Sequence, residues 1–141
     1  MEQNSLKIVI VDDEECIRES IRMHLSEQGH EVFTATEPTM CDVYCGRPCS
    51  KKNPCGDVLM IDQNMRTKKG LDFFKEMQQN GCLGVAANKV VMSGSMNEEE
   101  MALAESLGCK FILKPFTLPQ VDRFIEEAQN RILSSRTELI S

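Results

Sequence analysis

The sequence predicts an α/β protein, a doubly wound parallel sheet with helices on both faces. Three observations predict it. Short apolar, β-branched runs alternate with stretches whose apolar residues recur every three or four positions. The runs are apolar almost throughout, as strands covered on both faces are. Four of them stop on a polar residue, in chain order Asp12, Asp62, Ser93 and Lys114.

The first run, residues 6–11, is Leu-Lys-Ile-Val-Ile-Val and halts at Asp12 and Asp13. The period then changes. Ile17, Ile21 and Leu25 predict an amphipathic helix over 14–28, ended by Gly29. Residues 31–35 read as a second short strand, and 58–61 as a third that runs into Asp62. Leu71, Phe74 and Met77 mark a helix over 71–79. The fourth strand, 89–92, leads into Ser93. A helix over 97–107 opens on Glu98, Glu99 and Glu100, which suit the positive end of a helix dipole, and Gly108 ends it. Residues 111–113 form the fifth strand, ending at Lys114 and Pro115. The last helix is expected over 117–133, with Val121, Phe124, Ile125, Ala128 and Ile132 on its buried side. Strands and helices in this alternation build a parallel sheet.

With 141 residues the chain suits a single domain, 1–141, with its core at about 6–133. No output domain is expected within the few residues given after 133. A net charge of −6 argues against direct nucleic-acid or anionic-membrane binding, both of which use basic surface. Residues 1–5 lack the basic and apolar regions of a signal peptide, and no apolar stretch is long enough to span a bilayer, so a cytoplasmic location is expected. The seven cysteines are then better read as thiols or metal ligands than as a secreted disulfide framework.

In an open α/β sheet, ligands bind beyond the carboxyl ends of the strands. Those ends carry a chemically complementary set. Asp12, Asp13 and Asp62, brought together, repel one another and need a cation. Oxygen ligands suggest Mg²⁺, or Mn²⁺, which accepts waters and a phosphate oxygen as further ligands. A carboxylate can act as a nucleophile toward phosphorus. Lys114 is a point charge for a phosphoryl oxygen, and the Ser93 hydroxyl can donate to another.

At this spacing the motifs resemble the receiver domain of two-component response regulators, from Lys7 to about Leu133. The matching pieces are Val11-Asp12-Asp13-Glu14, Asp62-Gln63-Asn64-Met65, Gly70-Leu71-Asp72, Ser93-Gly94-Ser95 and Phe111-Ile112-Leu113-Lys114-Pro115-Phe116. The resemblance implies a flavodoxin-like sheet of order 2-1-3-4-5. It implies that Asp62 accepts a phosphoryl group from a sensor histidine kinase or phosphotransfer protein. Asp12 and Asp13 would hold Mg²⁺ with Asp62 and the backbone carbonyl of Asn64. Lys114 would contact the phosphoryl group, while Ser93 and Phe111 would form the switch. The output face would be the helix over 97–107, the fifth strand and the last helix, offered to a protein partner or a second copy of the chain. Such a domain is no enzyme in the usual sense. It catalyses its own phosphotransfer and slow autodephosphorylation. The chain departs from the family at Arg66, where proline is usual, and over about 40–56, where a plain helix and short loop are usual.

That insert between strands two and three carries Cys41, Cys45, Cys49 and Cys55. Thr36 and Pro38 could start a helix that puts Cys41 and Cys45 on one face. Four thiolates could hold Zn²⁺ or an iron–sulfur cluster, form disulfides, or remain free. A metal- or redox-responsive interaction module on the same fold is therefore the alternative function. The four are expected to cluster at the domain edge, away from Asp62. Cys16, Cys82 and Cys109 read as small core or near-core residues.

Overall fold

The computed structural model describes residues 5–39, 41, 44–46, 56–65, 68–82 and 86–140, with side chains to position 134. Five parallel strands form one sheet in the order β2-β1-β3-β4-β5. They are β1 (Lys7–Val11), β2 (Glu31–Ala35), β3 (Val58–Asp62), β4 (Lys89–Ser93) and β5 (Lys110–Leu113). The helices are α1 (Glu15–Glu27), α2 (Gly70–Gln79), α3 (Glu98–Leu107) and α4 (Leu118–Ile140). The expected fold class and strand order are both present.

Side chains alternate across the strands and build a core on each face. Ile8, Ile10, Val58, Met60, Val90 and Met92 pack with Ile21 and Leu25 of α1 and Val121, Phe124 and Ile125 of α4. Val9, Val11, Ile61 and Val91 face the other way, toward Leu71, Phe73, Phe74 and Met77 of α2 and Ala104 of α3. Both faces are therefore apolar, which is why these strands read as continuous apolar runs. β2 lies at the edge and is only half-buried. No helix among the described residues is long and apolar enough to cross a membrane.

The helix starts are held by specific bonds. Asn97 and Glu100 form a reciprocal capping box at α3, and Gly108, at φ 77°, closes its other end. Gln120 Oε1 accepts from Thr117 N–H at 2.7 Å, and Gln120 N–H donates back to Thr117 Oγ1 at 3.4 Å, at the start of α4. α2 has no cap from Lys69. Instead the buried Gln63 accepts the Leu71 N–H through Oε1 at 2.9 Å.

Two expectations need correction, and a third lies partly outside the described residues. The last helix continues past 133 to Ile140, since residues 134–140 hold neither glycine nor proline to stop it. Residues 36–39 carry bends and a turn, with Thr39 N–H on Glu37 O and Cys41 N–H on Pro38 O, and Cys45 N–H bonds Cys41 O at 3.3 Å; the rest of the helix expected from Thr36 and Pro38 falls partly outside the described residues. Cys16 is exposed on α1, while Cys82 is half-buried and Cys109 buried.

Gly70 lets α2 begin against the end of β3. A Cβ there would lie 3.0 Å from the Asp62 carbonyl oxygen and 3.1 Å from Ile61 Cγ2. Gly70→Val is expected to lower stability by about 2 kcal/mol through overpacking, read as the midpoint of urea unfolding. An unchanged midpoint would show that this approach is not tight.

Candidate functional site

The sheet places the chemistry at one edge. β1 and β3 are in register with Val11 beside Ile61, so Asp12 and Asp62 leave neighbouring strand ends together. Asp62 is level with Met92, one residue before Ser93, and Ser93 is level with Leu113, one residue before Lys114. Parallel strands thus deliver Asp12, Asp62, Ser93 and Lys114 to one rim.

Asp12, Asp13 and Asp62 each present an oxygen, and these oxygens lie within 4.8 Å of one another. Asp12 and Asp62 are buried and Asp13 is exposed. The Lys114 ammonium reaches Asp12 Oδ2 at 3.0 Å, Glu14 Oε1 at 3.4 Å and Asp62 Oδ1 at 3.5 Å. At an effective dielectric near 20, its attractions to Asp12 and Asp62 are each about 5 kcal/mol. Each carboxylate pair repels by roughly 3–4 kcal/mol on the same basis. The attractions therefore do little more than match the repulsions, and the cost of burying two carboxylates is left uncovered.

The protonation equilibria reflect that balance. Burial, with the charges of Asp12 and Asp13, holds the Asp62 carboxyl above the usual aspartate range, against the opposing Asn64 N–H and Lys114. Burial disfavours the Lys114 ammonium. Its hydrogen bond to Asp12 and the charges of Asp12, Asp62 and Glu14 outweigh that and keep it firmly protonated. Asp12 Oδ1 also accepts the Glu14 N–H at 2.9 Å, and the Asp12 carbonyl accepts from Arg18 Nη1 at 2.8 Å. Three carboxylates with unspent oxygen lone pairs and one cation are a donor set that fits a hard divalent ion. Among the described residues no other group of acidic, histidine or cysteine side chains is arranged to hold a metal.

The remaining expected residues fall as follows. Ser93 is buried at the rim, but its hydroxyl donates to Ser95 O at 2.6 Å rather than to Asp62. Phe111 is 39% exposed and lies in a shallow cleft with Met101 and Ala104 of α3. Asn64 donates its N–H to Asp62 Oδ1 at 3.3 Å, and Lys69 Nζ holds its side-chain oxygen at 3.0 Å. Cys41 and Cys45 lie outside this site. Cys41 packs toward the α2 side of the core, and exposed Cys45 donates to Thr39 O at 3.4 Å. Cys49 and Cys55 lie outside the described residues. Nothing among the described residues supports zinc or an iron–sulfur cluster at the insert.

Two residues escaped the sequence reading. Glu14 shares Lys114, although only its place in the acidic run marked it. Gln63 is buried, caps α2 and donates through Nε2 to Glu100 Oε2 at 2.7 Å, tying the acceptor loop to the first turn of α3. Its place directly after Asp62 was the available signal.

Because the folded value of Asp62 is raised, folding favours its protonated form. This unfavourable contribution is absent below the unfolded value of about 4 and complete once the pH exceeds the folded value. In metal-free buffer, Asp62→Asn is expected to melt higher than the native chain at neutral pH. The difference should shrink as the pH falls toward about 4. A variant that melts lower at neutral pH would contradict the charge balance described above.

Comparison with known proteins agrees with this geometry. The family model described as the response regulator receiver domain matches residues 8–126. The transcriptional regulatory protein AruR of Pseudomonas aeruginosa is 22% identical over 110 residues, which is 77% of this chain and 43% of that protein. The chain thus spans less than half the length of this curated relative. Among solved structures, the beryllofluoride-activated NtrC4 receiver domain dimer is 24% identical with a TM-score of 0.70, covering 89% of this chain and 97% of that one. A receiver domain protein from Clostridium thermocellum is 24% identical with a TM-score of 0.68, covering 96% and 98%. The chemotaxis protein CheY4 of Vibrio cholerae is 21% identical with a TM-score of 0.67, covering 88% and 98%. At these identities the structural likeness carries the fold, and the family match carries the membership. The chain belongs to the response regulator receiver domain family of two-component systems.

Proposed function

We propose that this receiver domain accepts a phosphoryl group on Asp62 from the phosphohistidine of a sensor kinase or phosphotransfer protein. The observation that carries the reading is the buried Asp62 carboxylate, grouped with Asp12 and Asp13 and contacted by Lys114. An Asp62 oxygen attacks phosphorus, forming an acyl phosphate. The phosphorus–nitrogen bond breaks, and its electron pair returns to the imidazole ring. Asp12, Asp13, Asp62 and the Asn64 carbonyl are the residues that would hold Mg²⁺, whose chemistry here is to offset charge on the phosphoryl oxygens.

The chain's own groups do the rest. Lys114 already sits 3.5 Å from Asp62, so its ammonium is placed for an oxygen of the incoming group. The Asn64 N–H orients Asp62 Oδ1. The Ser93 hydroxyl can turn from Ser95 toward a phosphoryl oxygen, and Phe111, exposed beside α3, can follow. The surface that reads the change is then α3, β5 and α4. A protein partner or a second copy of the chain fits that surface, which exposes Met101, Phe111, Leu113 and Leu118. The domain acts on itself: it takes up the phosphoryl group and later loses it to water, with no separate substrate turned over.

The test is labelling with acetyl phosphate and Mg²⁺, followed by intact mass. Asp62→Asn is expected to take up no phosphoryl group. Lys114→Ala should keep the acceptor but slow labelling on the order of a hundred-fold. Undiminished labelling of Asp62→Asn would remove Asp62 as the acceptor.

A further inference from the structure

The two helices on one face of the sheet are held to it unequally. α2 buries Gly70, Leu71, Phe73, Phe74 and Met77, whereas α3 buries only Ala104. Leu103 and Leu107 pack partly against the same core, and Met101 is exposed. An element with few buried apolar contacts is easily displaced. The position of the first turn of α3 therefore depends on its polar bonds. Its capping box, Asn97 with Glu100, is internal to the helix. Among the described residues a single side-chain hydrogen bond joins α3 to another element: Gln63 Nε2 donates to Glu100 Oε2 at 2.7 Å.

Gln63 holds that bond without slack. It follows Asp62 and is 3% exposed. Its N–H donates to Met92 O at 2.8 Å and its carbonyl accepts the Gly70 N–H at 3.0 Å, so β4 and the start of α2 fix its backbone. Its side-chain Oε1 accepts the Leu71 N–H at 2.9 Å. With the oxygen on a donor and the nitrogen on a carboxylate, the amide has one orientation. Glu100 is equally committed, since its Oε1 accepts the Asn97 N–H at 3.1 Å while Oε2 accepts from Gln63. Turning either side chain would leave a polar group unpaired.

We propose that Gln63 is a positioning residue that couples occupancy of Asp62 to the first turn of α3. The proposal rests on Asp62 being the phosphoacceptor. A phosphoryl group on Asp62 gives the 62–64 loop new charge and new partners. The Gln63 amide carries the resulting displacement to Glu100, and the lightly packed α3 follows. Such coupling is reciprocal, so a partner that holds the Asn97–Glu100 turn in its displaced position strengthens binding at Asp62. The link runs beside Ser93 and Phe111 and needs neither.

Two substitutions isolate the bond. Glu100→Gln keeps the capping box, which glutamine also forms, and leaves Asp62 and Gln63 as they are. With its oxygen on the Asn97 N–H, the new amide nitrogen faces Gln63 Nε2, donor against donor, and the link is lost. Adding Gln63→Glu places a carboxylate opposite that nitrogen. One of its oxygens accepts the Leu71 N–H and the other accepts from position 100, so the link is remade with donor and acceptor exchanged.

The experiment records backbone and side-chain amide resonances of the full chain in Mg²⁺, before and after fluoroberyllate. In the native chain, shifts are expected at Asp62 and Asn64, at the Gln63 side-chain amide, and over residues 97–100. In Glu100→Gln the shifts at Asp62 and Asn64 should remain while those over 97–100 are lost. In the double variant they should return, a rescue that a merely weakened helix would not show. Unchanged shifts over 97–100 in Glu100→Gln overturn the coupling, as does a double variant that binds fluoroberyllate without them. Where a variant fails to fold or to bind the mimic, the native chain decides, and an unshifted Gln63 side-chain amide overturns the proposal. No shift at Asp62 or Asn64 in the native chain overturns the acceptor reading itself, and the coupling with it.

Discussion

The ion pair between Lys114 and buried Asp12, 3.0 Å apart, is the contact on which the rest of the rim depends. Asp12 and Asp62 sit on adjacent strand ends because β1 and β3 are parallel and in register. Without a cation between them the two carboxylates would face each other's charge unscreened at that spacing. Lys114 supplies that cation from the far end of the sheet order, which it reaches because β5 and β4 carry it to the same rim. Burial, together with a compensation that is incomplete, raises the protonation affinity of Asp62. A pocket with surplus negative charge and one fixed ammonium is a donor set that fits a divalent ion.

The same rim is connected by hydrogen bonds to α2 and α3. Gln63 follows Asp62 directly, and its two side-chain groups reach the first turn of α2 and the capping glutamate of α3. The Lys114 N–H donates to Ser93 O at 2.7 Å, so the residues expected to meet a phosphoryl group share a backbone bond. A displacement at Asp62 thus bears, through Gln63, on a bond to the first turn of α3, beside which Phe111 lies exposed. This gives the proposed switch a physical linkage without requiring a long chain of intermediates.

Much of this was legible in the sequence, for an identifiable reason. Strands covered on both faces must be apolar throughout, so their ends show as abrupt polar stops at Asp12, Asp62, Ser93 and Lys114. Those stops were also the site. Other features depend on contacts between distant segments, which periodicity does not record. No periodicity marks Gln63, yet it is buried and caps α2. Ser93 stood at the right place, but its hydroxyl bonds its own loop. Cys16 fell near the apolar stripe of α1 but faces solvent, since one helix turn carries both faces. The tail of α4 lacked a stop signal and an apolar stripe alike, and the absence of glycine and proline decided in favour of helix.

The central claim is that the three clustered carboxylates form one cation-dependent phosphoryl site. Fluorine magnetic resonance of the chain with fluoroberyllate, a mimic of the phosphoryl group, tests it most directly. The account predicts a protein-bound fluoride signal that forms only when Mg²⁺ and fluoroberyllate are both present and is lost in Asp12→Ala with Asp13→Ala. A bound signal that persists without Mg²⁺, or in that double variant, would contradict it.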